Sequence, residues 1–280
     1  MLSTTDHDRA VAGMTYVYPV VSRRAGGVSV GVNLNVNNAC NWRCIYCQVP
    51  DLKRGAPVPI DLPRLERELH AMLAAIVHGD FLDKHVPEGL RRLNDVALSG
   101  NGEPTSAREF DVVVDLIGRS LKDFGLLDQG VKLVLITNGS LCHRAKVQAG
   151  IARMAKLNGE VWFKFDRATR EGMRLVNDSA TTPERHYQRL ARVARLCPTW
   201  VQTCMFSLDG APPTEAEVSA YLAMLARAVA DGIPLQGVML YGLARPSLQV
   251  EAPRLGKVSE LWMRQLAQGI EDLGLKARVS

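Results

Sequence analysis

Three cysteines, Cys40, Cys44 and Cys47, stand within the stretch Cys40-Asn-Trp-Arg-Cys44-Ile-Tyr-Cys47. Thiolates this closely spaced can wrap three corners of an iron-sulfur cubane and leave its fourth iron without a protein ligand, the arrangement of an open 4Fe-4S cluster. Zinc is the competing occupant. A closed structural zinc site takes four ligands, usually as two paired half-sites. No second cysteine pair or histidine pair accompanies the triplet, because His70, His78, His85, His143 and His186 are dispersed. The zinc reading keeps a zinc-stabilised binding module as the alternative to an enzyme. The remaining thiols, Cys142, Cys197 and Cys204, are scattered and read as small buried hydrophobes, not as ligands of an auxiliary cluster.

Five further groups of residues have types suited to holding a ligand. In Leu98-Ser-Gly100-Asn101-Gly102-Glu103-Pro104, the glycines let the backbone approach a ligand closely, and the carboxylate or a carbonyl can accept from an ammonium group. A glycine-rich turn is the plain alternative there. Asn138, ahead of Gly139, is either a ligand contact or one half of a turn pair. Lys164 and Asp166 share one face of an apolar run, because a strand repeats every second residue, and buried charges need partners or a polar cavity. Gln202 and Thr203 occupy the same place one unit later, and Leu240 and Tyr241 precede Arg245, whose guanidinium suits an anion.

What positions these residues is an alternation of short β-rich runs with longer amphipathic helical patterns. Six strands are expected: 29–36, 94–99, 131–137, 160–166, 199–207 and 234–241. Asp61 heads a helix through Leu62, Leu65, Leu69, Leu73 and Ile76. Ser106 with Glu109, and Thr214 with Glu217, form capping boxes; Thr182-Pro183 and Ser259 open further helices, and Gly274 closes the last. The expected fold class is α/β, a partial (βα)6 TIM-like barrel with parallel strands inside and helices outside. Residues 1–30 read as an extension packed on the core, and residues 31–280 as a single domain. Every candidate group then falls at the C-terminal end of a strand, where such folds carry their chemistry.

The cysteine spacing with an aromatic residue immediately before the last cysteine resembles the signature of the radical S-adenosylmethionine superfamily. The resemblance implies a 4Fe-4S cluster on Cys40, Cys44 and Cys47, with S-adenosylmethionine chelating the open iron through its amino and carboxylate groups. Tyr46 would then contact the adenine. Gly100, Asn101, Gly102 and Glu103 match the family's GGE-type motif for the methionine amino group, and Asn138 lies in its T-N-G sequence. Lys164, Asp166 and Gln202 would serve ribose or carboxylate, and backbone around Leu240 and Tyr241 would flank the adenine.

Two segments resemble a subgroup related to wybutosine-synthesis enzymes: Ser22-Arg23-Arg24-Ala25-Gly26-Gly27-Val28-Ser29-Val30-Gly31, and Tyr241-Gly-Leu-Ala-Arg245-Pro246. That group's archaeal members carry cysteines ahead of the radical motif, and this chain has none before Cys40; a fused flavodoxin domain is not expected either. The implied activity is reductive cleavage of S-adenosylmethionine to methionine and a 5′-deoxyadenosyl radical that abstracts hydrogen from a substrate. Wybutosine-like tRNA modification, peptide modification and glycyl-radical activation are the competing reactions. An external one-electron donor of flavodoxin or ferredoxin type is implied, with an RNA, a nucleotide or a peptide as substrate.

Composition bounds these readings. The chain has 280 residues, 47% of them hydrophobic, enough for one substantial core. Its formal charge of +5, from 34 Lys+Arg against 29 Asp+Glu, lacks the dense basic block that would point to nucleic acid. Arg23, Arg24, Lys53, Arg54 and Arg245 are the basic residues placed to serve an anionic substrate. The polar, acidic start MLSTTDHDRA and the shortness of the apolar runs predict neither signal peptide nor membrane span, hence a reducing cytoplasm in which clustered thiols bind metal.

Overall fold

Strands buried on both faces organise the computed structural model, which describes residues 13–22 and 26–280. The elements begin with β1 (Val17–Ser22) and β2 (Gly27–Val32), then the two-residue β3 (Ala39–Cys40) and β4 (Lys53–Arg54), α1 (Leu62–Val77) and α2 (Phe81–His85). β5 (Leu93–Leu98), α3 (Phe110–Asp123), β6 (Lys132–Thr137), α4 (Ala145–Met154), β7 (Gly159–Lys164), α5 (Arg170–Asn177) and α6 (Pro183–Ala194) follow. The chain closes with β8 (Thr199–Cys204), β9 (Ser207–Leu208), α7 (Glu215–Ala230), β10 (Leu235–Tyr241), β11 (Leu255–Gly256), α8 (Glu260–Glu271) and β12 (Ala277–Val279).

The main sheet runs β1-β2-β5-β6-β7-β8-β10-β12, all neighbours parallel except β1 with β2. It is the expected partial TIM-like barrel, extended to eight strands by one element at each edge. β1 was not expected: Pro19 cannot donate to a ladder, and the chain accommodates it on an edge strand that pairs only with β2. Residues before 31 thus supply β1 and most of β2 to the sheet. Arg23, Arg24 and Ala25 lie outside the described residues.

Helix starts follow their caps. Asp61, Thr182, Thr214 and Ser259 each accept the backbone N–H three residues on, and Gly274 takes φ +82° after α8. The Ser106–Glu109 capping box does not form. Pro104 initiates a tight 3₁₀ turn, the Ser106 hydroxyl bonds back to the Glu103 carbonyl, and α3 starts only at Phe110 with Glu109 as an N-cap lacking a side-chain bond.

Strand alternation splits the core. Val96, Leu98, Leu133, Leu135, Val161, Phe163, Val201, Val238 and Leu240 join the helices in one large apolar cluster. Ala97, Val134, Trp162, Trp200 and Met239 form a separate layer with Ile136 on the other, concave face. Two residues further along their strands, the same face presents Lys164, Gln202 and Tyr241. At the opposite end of the strands lies a cavity of about 680 Å³, in whose lining Lys132 pairs with Glu160, and Arg91 with Asp83.

Candidate functional site

The segment from Ala39 to Val49 follows β2 and lies across the C-terminal ends of the strands, held from three sides. Ile45 N donates to Val176 O at 2.9 Å and Arg43 N to Asn177 O at 3.2 Å, fastening it to the end of α5. On the β10 side, Ser247 Oγ donates to Ile45 O (2.7 Å), Leu248 N donates to Cys47 O (2.9 Å), and Arg43 grips Glu251 with two bonds of 2.9 and 2.6 Å. From below, buried Trp42 lies 5.4 Å from the His186 ring, which packs against Phe163 and Phe165. A loop so anchored presents its side chains with little conformational freedom left to lose on ligation.

Cys40, Cys44 and Cys47 are unbridged and half-buried on this loop. Burial pushes the Cys40 thiol up to about 11 and the Cys44 thiol up to about 12, and Cys47 adds to both shifts electrostatically. Asn177 Nδ2 donates to Cys44 Sγ at 3.3 Å, a bond that favours the thiolate. Among the described residues no three His, Cys, Asp or Glu side chains converge to hold one metal ion.

The Gly100–Glu103 loop closes over the cysteine loop. A Cβ on Gly102 would come within 2.2 Å of Ala39 O, and one on Gly100, where φ is +128°, within 2.5 Å of Asn33 Oδ1. Both positions require glycine for this approach. Asn101 Nδ2 donates to Asn38 Oδ1 (2.6 Å), and its own Oδ1 is buried without a partner among the described residues. Glu103 is only 2% exposed: its carboxylate accepts from Thr105 N and Oγ1, from Thr137 Oγ1 (2.6 Å) and from Asn138 N (2.7 Å). Burial raises its pKa against those four donors. Glu103 therefore ties this loop to the end of β6, and its carboxylate is taken up inside the protein. Asn138 is occupied likewise, donating to Asn41 Oδ1 (2.9 Å) and accepting from Ser140 N (3.0 Å).

Lys164, Asp166, Tyr46 and Tyr241 come together above the apolar layer. Asp166 Oδ2 accepts from Tyr46 OH (2.6 Å) and Asn177 Nδ2 (2.8 Å), and its Oδ1 from Cys204 N (2.9 Å). Lys164 Nζ lies 4.8 Å above the Tyr46 ring and donates to Tyr241 OH at 3.2 Å. Burial pulls the Lys164 ammonium down, but Tyr241, Asp166 and Cys44 outweigh it and hold the pKa above the ordinary lysine value. Gln202 pairs in register with Lys164 on one side and Met239 on the other, and its Nε2 is buried with no acceptor among the described residues. An unsatisfied buried donor beside Lys164 is a place for a ligand oxygen.

Two sequence candidates face elsewhere. Leu240 packs into the core under the helices, with its carbonyl accepting from Ser280 N (3.0 Å), and Thr203 bonds Phe165 O and Tyr221 OH on the same outer side. Asn33, Asn35, Asn41 and Asn177, which support the cysteine and glycine loops, escaped sequence reasoning. The asparagine-rich run from Asn33 to Asn38 was the available signal.

No family model matches the chain. A Helicobacter pylori protein described as a UPF0026 protein is 32% identical over 138 residues, which cover 48% of this chain and 37% of that relative. Similar solved structures include a radical SAM methyltransferase from Sphaerobacter thermophilus, with a TM-score of 0.59 at 16% identity over 97% of this chain and 71% of that one. TYW1 with a lysine-pyruvate adduct bound gives 0.54 at 16% identity, covering 89% and 74%. A spore photoproduct lyase mutant gives 0.51 at 11% identity, covering 86% and 73%. At these identities the likeness is one of fold, and the fold is the partial barrel on which these proteins are built. No helix among the described residues is long and apolar enough to cross a membrane.

Proposed function

We propose that this chain is a radical S-adenosylmethionine enzyme that carries one 4Fe-4S cluster on Cys40, Cys44 and Cys47. The observation that carries the reading is a three-thiol loop pinned at the C-terminal end of a parallel partial barrel, near Lys164, Asp166 and a buried Gln202 amide nitrogen without a partner among the described residues. Three clustered thiols with no second cysteine or histidine pair suit a cluster with one open iron better than a closed four-ligand zinc site. When bound, the cluster and S-adenosylmethionine together supply one-electron cleavage of the sulfonium bond and hydrogen-atom abstraction from a substrate.

The chain's own residues bind, orient and exclude water. Cys40 and Cys44 are protonated at neutral pH, so ligation displaces their protons, with Asn177 stabilising the Cys44 sulfur. Glu103 is committed internally, so from its loop the partnerless Asn101 Oδ1 and the backbone carbonyls would be the acceptors for the cofactor's ammonium group. Gln202 Nε2 would donate to a cofactor oxygen, and Lys164 would hold positive charge for its carboxylate. Tyr46, fixed by Asp166, would contact the adenine, with Tyr241 bonded to the Lys164 ammonium that lies over the Tyr46 ring. The electron comes from an external donor of flavodoxin or ferredoxin type. The substrate is an RNA, a nucleotide or a peptide, and the site of action is the reducing cytoplasm.

Anaerobic reconstitution with iron and sulfide, then dithionite and S-adenosylmethionine, tests this with 5′-deoxyadenosine as the readout. The wild-type chain forms it and Cys44→Ala does not; no product, or product indifferent to that substitution, sinks the proposal.

A further inference from the structure

On the outer flank of the cysteine loop, a cleft of about 330 Å³ separates Asn41 and Trp42 from the N-terminal turns of α6. Three guanidinium groups line it, those of Arg54, Arg185 and Arg189, against one carboxylate, that of Asp178. Asp178 is already engaged by Arg54 and by Arg43. Arg185 and Arg189 stand one turn apart on α6 and face the same cleft, and neither forms an ion pair among the described residues. Arg189 is half-buried, and the one hydrogen bond of its guanidinium among the described residues is a long one, 3.4 Å, to Thr181 Oγ1. Burial and the repulsion of Arg185 both push the Arg189 pKa down. Two like charges held side by side in a partly desolvated cleft are a cost to the fold that an anion would relieve.

The remaining lining suits an oxyanion. Ser140 and Thr181 bring hydroxyls, and the positive end of the twelve-residue helix α6 adds the partial charge of its first turn. Paired arginines give planar forks that match phosphate oxygens, a geometry that lysine does not offer. The volume lies at the low end of small-ligand pockets, enough for a phosphate with an attached group.

We infer that this cleft binds a phosphate group through Arg185 and Arg189, with Arg54, Ser140 and Thr181 around it, and so anchors a phosphorylated ligand beside the cysteine loop. Phosphate binding here needs no cluster, so its failure is distinguishable from failure of the cofactor reading.

Calorimetric titration of the full chain, with and without a reconstituted cluster, tests it using inorganic phosphate and adenosine monophosphate at fixed ionic strength in chloride. One saturable site is expected, weakened at least about tenfold by Arg189→Gln and by Arg185→Gln, while Arg119→Gln on the exposed face of α3 leaves it unchanged. Arg185 is exposed, so its variant keeps the test valid should Arg189→Gln unfold, which circular dichroism checks. Tighter binding of the nucleotide supports a phosphoester as the natural source, and equal binding supports phosphate itself. Absence of saturable binding of either ligand at millimolar concentration overturns the inference, as do equal losses in all three variants or binding by a short RNA alone.

Discussion

Acid should destabilise this protein through one buried histidine. His186 on α6 is 1% exposed, packed between Trp42, Phe163 and Phe165, with Nε2 donating to Lys164 O at 2.9 Å. Burial lowers its pKa from 6.5 to about 4. Between those values the unfolded chain binds a proton that the folded chain refuses, so stability is present above pH 6.5 and is lost as pH falls toward 4. A shift of this size corresponds to roughly 3 kcal/mol in full, of which about 2 kcal/mol is gone by pH 5. His186→Gln keeps a donor for Lys164 O and cannot titrate. Urea unfolding at pH 7 and pH 5 should therefore show wild type losing about 2 kcal/mol more than the variant over that interval, since all other groups act alike in both. Equal losses would refute the reasoning. Because Trp42 of the cysteine loop rests on this ring, iron retention by reconstituted wild-type protein should fall over the same interval, and less so in the variant.

Glu103→Ala should lower the stability of cluster-free protein by roughly 3–5 kcal/mol, because four donors lose their buried acceptor; a urea midpoint within error of wild type would show the carboxylate to be dispensable. Gly102→Ala should reduce iron bound per chain severalfold after reconstitution, since the new methyl would lie 2.2 Å from the carbonyl of Ala39, next to Cys40; full iron loading would contradict that crowding.

Much of the site was legible in the sequence because its groups are contiguous. Cys40, Cys44 and Cys47 are close in the chain, so no fold was needed to bring them together. Lys164 and Asp166 shared a face by strand period alone, and the structure sets both at the mouth. The same rule applied to adjacent residues cannot say which face is inner, and so Gln202 and Thr203, or Leu240 and Tyr241, were separated only by the sheet. The Ser106 capping box failed for a related reason. Pro104 and the Glu103 carboxylate together build a 3₁₀ turn that takes up Ser106, and Glu103 is held there by Thr137 and Asn138 from another unit.

The sequence by itself determined which thiols stand together, the parallel α/β architecture and the placing of the candidate groups at strand ends, because hydrophobic period and short-range spacing are local properties. Only the tertiary structure decided how those groups are used. Glu103 turned inward because two of its four donors, Thr137 Oγ1 and Asn138 N, come from a separate loop, Asn177 met Cys44 across 133 residues of chain, and Arg54 gained Arg185 and Arg189 as neighbours around one cleft. Contacts between distant segments depend on packing, which local pattern does not encode.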